Sequence, residues 1–338
     1  MLAALAGLYE PIDQVAATLQ RHQVGELAVQ AVRAHQPGSP TVAAMAGALE
    51  QVRWAPPVEA RVLLDSFVEL EEAMAGAGIP VLILKGAVLA QRLYGGLDRR
   101  PQYDLDVLVT RTAARDARRV MLEVGYKPVR RYQHAASLRR PPVEVDLHWA
   151  LRSAPAYAID HGQVWKDAVP VVLDDVHART LSDEHLLLLL SSSVVEDTGL
   201  GATRLKQLCD VWLLVRELDA RFDWDAWFQA RQPEHLEAVA ANGFALTLEV
   251  LETHKDAPRL SQALEARSDL LCVKGRQQAK ALLAAPRGDA ANSAWFNRVY
   301  PGSPLVYRTH SFVAGLPASV RDVRPSRYVP LWRRPRRD

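Results

Sequence analysis

Three short apolar runs, each bounded by polar or turn residues, constrain the fold of this chain most strongly. They occupy 81–84, 103–109 and 143–149. Runs of this length that are rich in Val, Leu and Ile are typical of strands buried in a sheet. Helical patterns separate them, one ending at Gly95-Gly96 and one at 112–124, with a further strand at 127–132. A hairpin at 169–173 and 177–181 should turn on Asp174-Asp175. This order, β-α-β-α-β-β, predicts an α+β fold with helices packed on a mixed sheet.

The chain of 338 residues is long enough for two or three cooperating units. We expect an N-terminal helical region at 1–78, a sheet-containing core at 79–181, a C-terminal helical domain at 182–320 and a basic extended tail at 321–338. In the first region the spacing of Leu63, Phe67, Leu70 and Met74 predicts a helix. The last region is rich in Arg and Pro and poor in apolar residues, which favours an extended tail.

The bulk composition indicates a globular cytoplasmic protein. The net charge of +2 excludes a global field that would attract nucleic acid. Cys209 and Cys272 have no metal-ligand spacing and are interpreted as free thiols in a reducing compartment. The N-terminal residues lack the basic segment of a signal peptide. The apolar stretch at 185–195 is shorter than the roughly 20 residues that a membrane span needs, so we expect a buried core helix there.

Two carboxylates lie in the second apolar run. Asp104 and Asp106 are two residues apart, and side chains at that spacing on a strand share a face. Carboxylates flanked by Leu105 and Val107 are costly to bury without a positive partner. Divalent cations, which prefer oxygen ligands, are the natural candidate.

A second acidic strand places Glu144, Asp146 and His148 on one face. If this strand lies beside the one that carries Asp104, the three aspartates converge. Three converging carboxylates could hold two Mg²⁺ ions about 3.5–4 Å apart, the separation used for in-line phosphoryl displacement.

Lys85-Gly86 follows the first strand and begins a helix. Backbone N–H groups and the helix dipole favour phosphate oxygens at such a turn. Gly86 would allow a triphosphate to approach the backbone closely, and Lys85 would add a point charge. Arg100, four residues before Asp104, could do likewise.

In order, the motifs ILKGAVL, Tyr94 with Arg100, YDLDVLV, Gly125-Tyr126 and VEVDLHW resemble the uncharacterised nucleotidyltransferase family of the DNA polymerase β superfamily. The resemblance covers about 80–150 well and extends to about 230, where Arg204, Lys206 and Asp210 are at matching places. It implies a polymerase-β-like core that moves a nucleoside monophosphate from an NTP to an acceptor.

The resemblance also implies a role for each site residue. Asp104 and Asp106 would hold the nucleotide-associated Mg²⁺ and help to hold the catalytic one. Asp146 would hold the catalytic ion near the acceptor hydroxyl, and Gly86 would lie against the triphosphate. The usual Gly-Ser or Gly-Gly turn of the superfamily is Lys85-Gly86 here, a change that the family shares, and it leaves the details of triphosphate binding open.

Each of these residues also has a plainer interpretation. Lys85 could extend from the end of a buried strand to solvent, and Arg100 could pair with Asp98. His148 is expected to form a hydrogen bond in the core, and Glu144 to support the site or lie exposed. Lys206 and Asp210, four apart on a helix, could face the nucleotide and help to bind it, or could be an ordinary surface pair.

The acceptor is open between a small molecule, a peptide, a protein side chain and an RNA end, with the first three favoured. The donor is taken as ATP because ATP is abundant. Three other functions compete: a catalytically silent module that binds a nucleotide or partner, an RNA-directed nucleotidyltransferase that uses the basic tail, and a metal-dependent phosphodiesterase.

Overall fold

The structure, a computed structural model, describes residues 12–25, 27–28, 47, 59–132, 134–152, 157–199, 203–273 and 277. The predicted break at 37–40, the helical chain beyond 277 and the tail at 321–338 lie outside these residues. The division into four regions stays a prediction.

Helices and strands alternate along the described chain much as the sequence predicts. The helices are α1 (Ile12–Arg21), α2 (Ala60–Gly76), α3 (Lys85–Tyr94), α4 (Ala114–Glu123), α5 (His161–Lys166), α6 (Asp183–Gly199), α7 (Leu205–Leu218), α8 (Trp224–Arg231), α9 (Glu237–Leu251) and α10 (Pro258–Glu265). The strands are β1 (Leu82–Ile83), β2 (Leu105–Leu108), β3 (Lys127–Arg131), β4 (Ala135–Arg140), β5 (Val143–His148), β6 (Val169–Leu173) and β7 (Val176–Thr180). Short 3₁₀ helices lie at Leu97–Arg99, His254–Asp256 and Ser268–Leu270.

Five strands form one mixed sheet in the order β1-β2-β5-β4-β3. β2 and β5 are parallel, and the other neighbouring pairs are antiparallel. β6 and β7 form a separate hairpin that turns at Asp174 and Asp175, with a φ of 51° at Asp174. The predicted α+β class and the predicted hairpin are confirmed.

The sequence does not predict β4. Its residues, AASLRR, include no β-branched or aromatic side chain, and Ala is less common in strands than in other structure. The first four residues are nevertheless buried, because β4 pairs with β5 on one side and β3 on the other. Tertiary pairing therefore outweighs local preference here.

Two apolar cores lie on opposite faces of the sheet. Leu105, Val107 and Val145 belong to a core shared with α2 and α4, whereas Leu82 and Leu108 belong to a core built mainly by α6–α10. Because side chains alternate along a strand, Asp106 shares the face of Leu108. The carboxylate therefore lies on the face turned towards the C-terminal helices.

Residues 185–195 of helix α6 are almost all buried and lie inside the second core, as the sequence predicts. Its three consecutive serines satisfy their hydroxyls locally. Ser191 Oγ donates to Leu187 O at 2.7 Å and Ser192 Oγ to Leu188 O at 2.5 Å. Hydroxyls bonded in this way can be buried at little cost. In the described part of the chain, no helix is both long and apolar enough to cross a membrane.

Asp219 fixes the break between α7 and the helices that follow. Its carboxylate accepts from Trp224 Nε1 at 2.8 Å, from Arg259 N at 3.0 Å and from Leu260 N at 2.8 Å. The last two donors are in the first turn of α10, where helix N–H groups have no internal partner. A single buried carboxylate at the end of α7 thus caps α10.

Gly243 of α9 packs directly against the backbone of α6. A Cβ added at Gly243 would lie 2.2 Å from Ser191 O, which is backbone and cannot move aside. We expect Gly243→Ala to lower the free energy of unfolding by about 1–3 kcal/mol, the usual range for overpacking. Urea denaturation measures this. Gly76→Ala is the matched control, since nothing lies within 4 Å of its added Cβ, and equal stability of the two variants would contradict the prediction.

Candidate functional site

Asp106 and Asp146 lie side by side on the adjacent strands β2 and β5. They are direct partners in the register of the parallel strands β2 and β5, so their side chains leave the same face at one level. Asp106 is 4% exposed, and Asp146 is partly exposed. The predicted approach of the second acidic strand to the first is thus present in the structure.

His148 joins this pair. One ligand atom each of Asp106, Asp146 and His148 lies within 4.8 Å of the others. His148 Nε2 is 3.1 Å from Asp106 Oδ1, and its Nδ1 is buried without a hydrogen-bond partner in the described structure. Sequence reasoning expected a core hydrogen bond for His148. The signal that could have placed it here is its spacing of two residues from Asp146 on the same strand.

Asp104 lies one residue before β2, and its carboxylate is not part of the 4.8 Å group. Its side chain is exposed, so the alternation expected for a strand does not bring it beside Asp106 at the same depth. Its carboxylate is nevertheless close enough to the cluster that partial desolvation and the charge of Asp106 raise the pKa of Asp104 to about 6. Asp104 therefore lies at the rim of the cluster.

The charge environment differs between the two central carboxylates. Burial opposes ionisation of Asp106, but Lys85 and His148 outweigh it and hold the pKa of Asp106 below its usual range. Burial and the nearby Asp106 raise the pKa of Asp146, although its Oδ1 accepts a hydrogen bond from Ser137 Oγ on β4. Ser137 is another residue that the sequence does not single out.

Lys85 and Gly86 form the first turn of α3, directly after β1. Lys85 Nζ lies 3.2 Å from Asp106 Oδ1, so Lys85 does not simply extend to solvent. Gly86 departs from helical geometry, with φ 9° and ψ −101°. A Cβ at Gly86 would lie 3.1 Å from Gln102 Oε1. The Gln102 side chain, from the loop before Asp104, therefore lies close to the backbone of Gly86.

Arg100 does not pair with Asp98. Its Nε and Nη2 donate to the two oxygens of Asp210 on α7 at 2.8 and 2.6 Å, and Tyr94 Oη donates to the same carboxylate at 2.8 Å. Arg100 and Asp210 are 6% and 2% exposed. The interpretation of Lys206 and Asp210 as a surface pair is therefore wrong. Arg100 ties the loop before Asp104 to α7 and does not face the carboxylates as a free cation.

Lys206 is also buried. Its Nζ donates to Pro101 O at 3.3 Å and lies 5.0 Å from the centre of the Tyr103 ring. Burial and the nearby Arg100 lower the pKa of Lys206 to about 7. Glu144 is bonded to Arg139 on β4 and lies apart from the 4.8 Å group.

A family match decides the class of this protein. The sequence profile of the uncharacterised nucleotidyltransferase family matches residues 10–252. The chain belongs to this family. The predicted family and enzyme class are thereby confirmed, and this nucleotidyltransferase includes α1 and α2 in the matched region.

Solved structures resemble the nucleotidyltransferase over about half of its chain. ANT(2″)-Ia in complex with adenylyl-2″-tobramycin is 14% identical, with a TM-score of 0.39, over 51% of this chain and 96% of the other. The lincosamide antibiotic adenylyltransferase LnuA with bound lincomycin is 15% identical, with a TM-score of 0.33, over 47% and 97%. An antigenic nucleotidyltransferase-like protein from Paracoccidioides brasiliensis is 17% identical, with a TM-score of 0.34, over 55% and 94%. Among curated proteins, none matches the sequence. The assignment rests on the family match.

The donor set of the nucleotidyltransferase fits a divalent cation. Two carboxylates and an imidazole lie close together, and both ligand types bind divalent metals. His148 Nε2 lies 3.1 Å from Asp106 Oδ1, so the imidazole and this carboxylate can approach the same cation.

The buried position of Lys206 should lower the stability of the fold in a way that depends on pH. Its pKa is about 7 in the folded protein and 10.5 ordinarily, so the unfolded chain binds more protons between these pH values. The cost of burying Lys206 is therefore complete below about pH 7 and is relieved as the pH rises towards 10.5. We expect Lys206→Met to be more stable than wild type at pH 6, with a smaller difference at pH 9.5, in urea denaturation. Lys255→Met, at an exposed position, should show no such trend. A Lys206→Met protein less stable than wild type at pH 6 would contradict the assigned burial cost.

Proposed function

We propose that this nucleotidyltransferase transfers a nucleoside monophosphate, AMP by default, from a Mg²⁺-bound NTP to a hydroxyl or phosphate of a small-molecule, peptide or protein acceptor. One observation carries the proposal: Asp106 and Asp146 are register partners on parallel strands, with Lys85 at a helix N-terminus contacting the same cluster.

Asp106 and Asp146, with His148 beside them and Asp104 at the rim, would hold the metal ions, two in the proposed mechanism. Bound there, the ions would neutralise phosphate charge and lower the pKa of the attacking hydroxyl. We assign the triphosphate to the first turn of α3, where N–H groups lack internal partners and Lys85 supplies a positive charge. Lys206, whose pKa is lowered to about 7, would be a second cation for the phosphates, because a bound phosphate favours the protonated form of its amine.

The protein mainly positions and neutralises the reactants. The acceptor oxygen forms a bond to the α-phosphorus while the bond from that phosphorus to the bridging oxygen breaks. Pyrophosphate leaves with the electron pair, and the acceptor proton passes to a carboxylate of the site. We assign this last role to Asp146, because its side chain is partly exposed whereas that of Asp106 is buried.

Thermal unfolding with Mg²⁺ and each NTP, followed by an assay for pyrophosphate, tests the proposal. A nucleotide at a hundred times its dissociation constant stabilises the native state by about 2.7 kcal/mol. We expect an NTP-dependent increase in Tm for wild type and little for Asp146→Asn, and pyrophosphate release once an acceptor is supplied. A shift without release across an acceptor panel supports the silent module instead. Free NMP would indicate a phosphodiesterase, and no shift with any NTP would refute nucleotide binding.

A further inference from the structure

Lys85 makes an ion pair with the carboxylate that metal binding requires. Its Nζ lies 3.2 Å from Asp106 Oδ1, the same oxygen that His148 Nε2 approaches to 3.1 Å. The Lys85 side chain is 34% exposed, whereas that of Asp106 is 3% exposed. The more exposed Lys85 side chain therefore pairs with a carboxylate that is itself buried.

An ammonium and a divalent cation compete for one carboxylate oxygen. Both are positive, so each weakens the binding of the other when they lie a few ångströms apart. While Lys85 pairs with Asp106, the ion pair has to loosen before Asp106 can bind a metal strongly. The Lys85–Asp106 contact is thus an obstacle to metal binding in the nucleotide-free protein.

A bound triphosphate would offer Lys85 a second partner. Lys85 is the first residue of α3, and its flexible stem lets the ammonium change direction without movement of the backbone. Asp104 and Asp197 also attract Lys85, and Arg152 repels it. These charges keep the ammonium near the carboxylate cluster whether it pairs with Asp106 or with a phosphate.

We propose that Lys85 exchanges Asp106 for the triphosphate when nucleotide binds, and that this exchange couples metal binding to nucleotide binding. The inference rests on the proposed function, since it takes an NTP as the ligand. Coupling between two ligands is reciprocal: whatever factor the nucleotide adds to metal affinity, the metal adds to nucleotide affinity. Lys85 therefore suppresses metal binding until the nucleotide is present.

The effect of one substitution on metal affinity distinguishes a competing role of Lys85 from a role in positioning Asp106. If Lys85 competes with the metal, Lys85→Met should strengthen metal binding in the absence of nucleotide. If Lys85 only holds Asp106 in position, the same variant should weaken it. Lys85→Arg retains the charge and should bind metal as weakly as wild type.

The experiment measures Mn²⁺ binding to nucleotide-free protein from the EPR signal of the free ion. We expect the Mn²⁺ dissociation constant of Lys85→Met to be about tenfold lower than that of wild type, within the range of about 5- to 150-fold usual for coupled sites. Lys255→Met, which removes one exposed positive charge elsewhere, should match wild type. Repeating the titration with ATP present should give a smaller gain in Mn²⁺ affinity for Lys85→Met than for wild type.

An equal or higher dissociation constant for Lys85→Met overturns the inference. Failure of ATP to bind any variant refutes the proposed function instead, while the nucleotide-free titration still decides whether Lys85 opposes the metal. If Lys85→Met does not fold, trace acetylation of wild-type lysines, mapped by mass spectrometry, replaces it. Saturating Mn²⁺ should then raise the acetylation rate of Lys85 severalfold relative to Lys255, and an unchanged ratio overturns the inference.

Discussion

Asp106→Asn is expected to abolish nucleotidyl transfer, with a fall of about a thousandfold or more in rate. Metal ions supply several kcal/mol of transition-state stabilisation, and each 1.36 kcal/mol is tenfold in rate. Asp106 is central to the cluster, since it contacts both Lys85 and His148. The amide keeps the size of the side chain but loses the charge. Release of pyrophosphate from saturating ATP, once an acceptor is identified, measures the change.

Asp106→Asn should leave the fold intact, which separates lost chemistry from lost structure. The variant loses an ion pair with Lys85, but Lys85 is partly exposed, and the repulsion from Asp104 and Asp146 also falls. These changes offset only part of the loss, because the lowered pKa of Asp106 means that its charge stabilises the folded state. We therefore expect a folded variant with a Tm lower than that of wild type. Asp116→Asn, at an exposed ion pair on α4, is the control and should retain full activity. An Asp106→Asn protein with more than a tenth of wild-type activity would show that the cluster is not the reaction centre.

Arg100→Met is expected to give the largest loss of stability. Asp210 would remain 2% exposed, with the Tyr94 hydroxyl as the one remaining donor among its hydrogen bonds described here. Removing one partner of a buried ion pair typically costs about 3–5 kcal/mol, because the other charge stays buried without compensation. The midpoint of urea denaturation should fall accordingly.

A double variant shows whether the cost comes from the unpaired charge. Arg100→Met with Asp210→Leu removes both charges, so it should be more stable than the sum of the single effects implies. Arg119→Met, at a solvent-exposed pair, should change the stability by less than about 1 kcal/mol. Additive effects of the two buried substitutions would show that Arg100 and Asp210 act independently.

The fold was predictable where periodicity and composition agree. β1, β2 and β6 are short runs rich in aliphatic residues, β5 alternates apolar and polar residues, and the β6–β7 hairpin has turn residues between its strands. α6 is a long apolar run with acids in its first turn. β4 was not predictable, because its burial comes from pairing with β3 and β5 and not from its own side chains. The residues outside the described chain leave the N-terminal and C-terminal predictions as they stand.

The site residues can also be separated into those that the sequence predicts and those that it does not. Asp106 and Asp146 could be found because acids that alternate with apolar residues on strands are costly without a partner. The greater depth of Asp106 than of Asp104 depends on where β2 begins, which sequence patterns locate to within a few residues. The contact between Arg100 and Asp210 joins residues 110 positions apart, and no local pattern encodes it. His148 could have been included from its spacing, but its contact with Asp106 needed the parallel register of β2 and β5.

Two strands extend the sheet beyond the carboxylate cluster, and under the proposed function their residues would lie beside the acceptor. Asp106 and Asp146 come from β2 and β5, whereas β4 and β3 extend the sheet beyond them and contribute Ser137. In register, Arg130 of β3 lies beside Ser137, and Ser137 lies beside Asp146. Substitutions along β3 can therefore change the surface next to the reacting groups without moving either aspartate. Under the proposed function, substitutions on β3 would change which acceptors are modified, while Asp106 and Asp146 on β2 and β5 would keep the same chemistry.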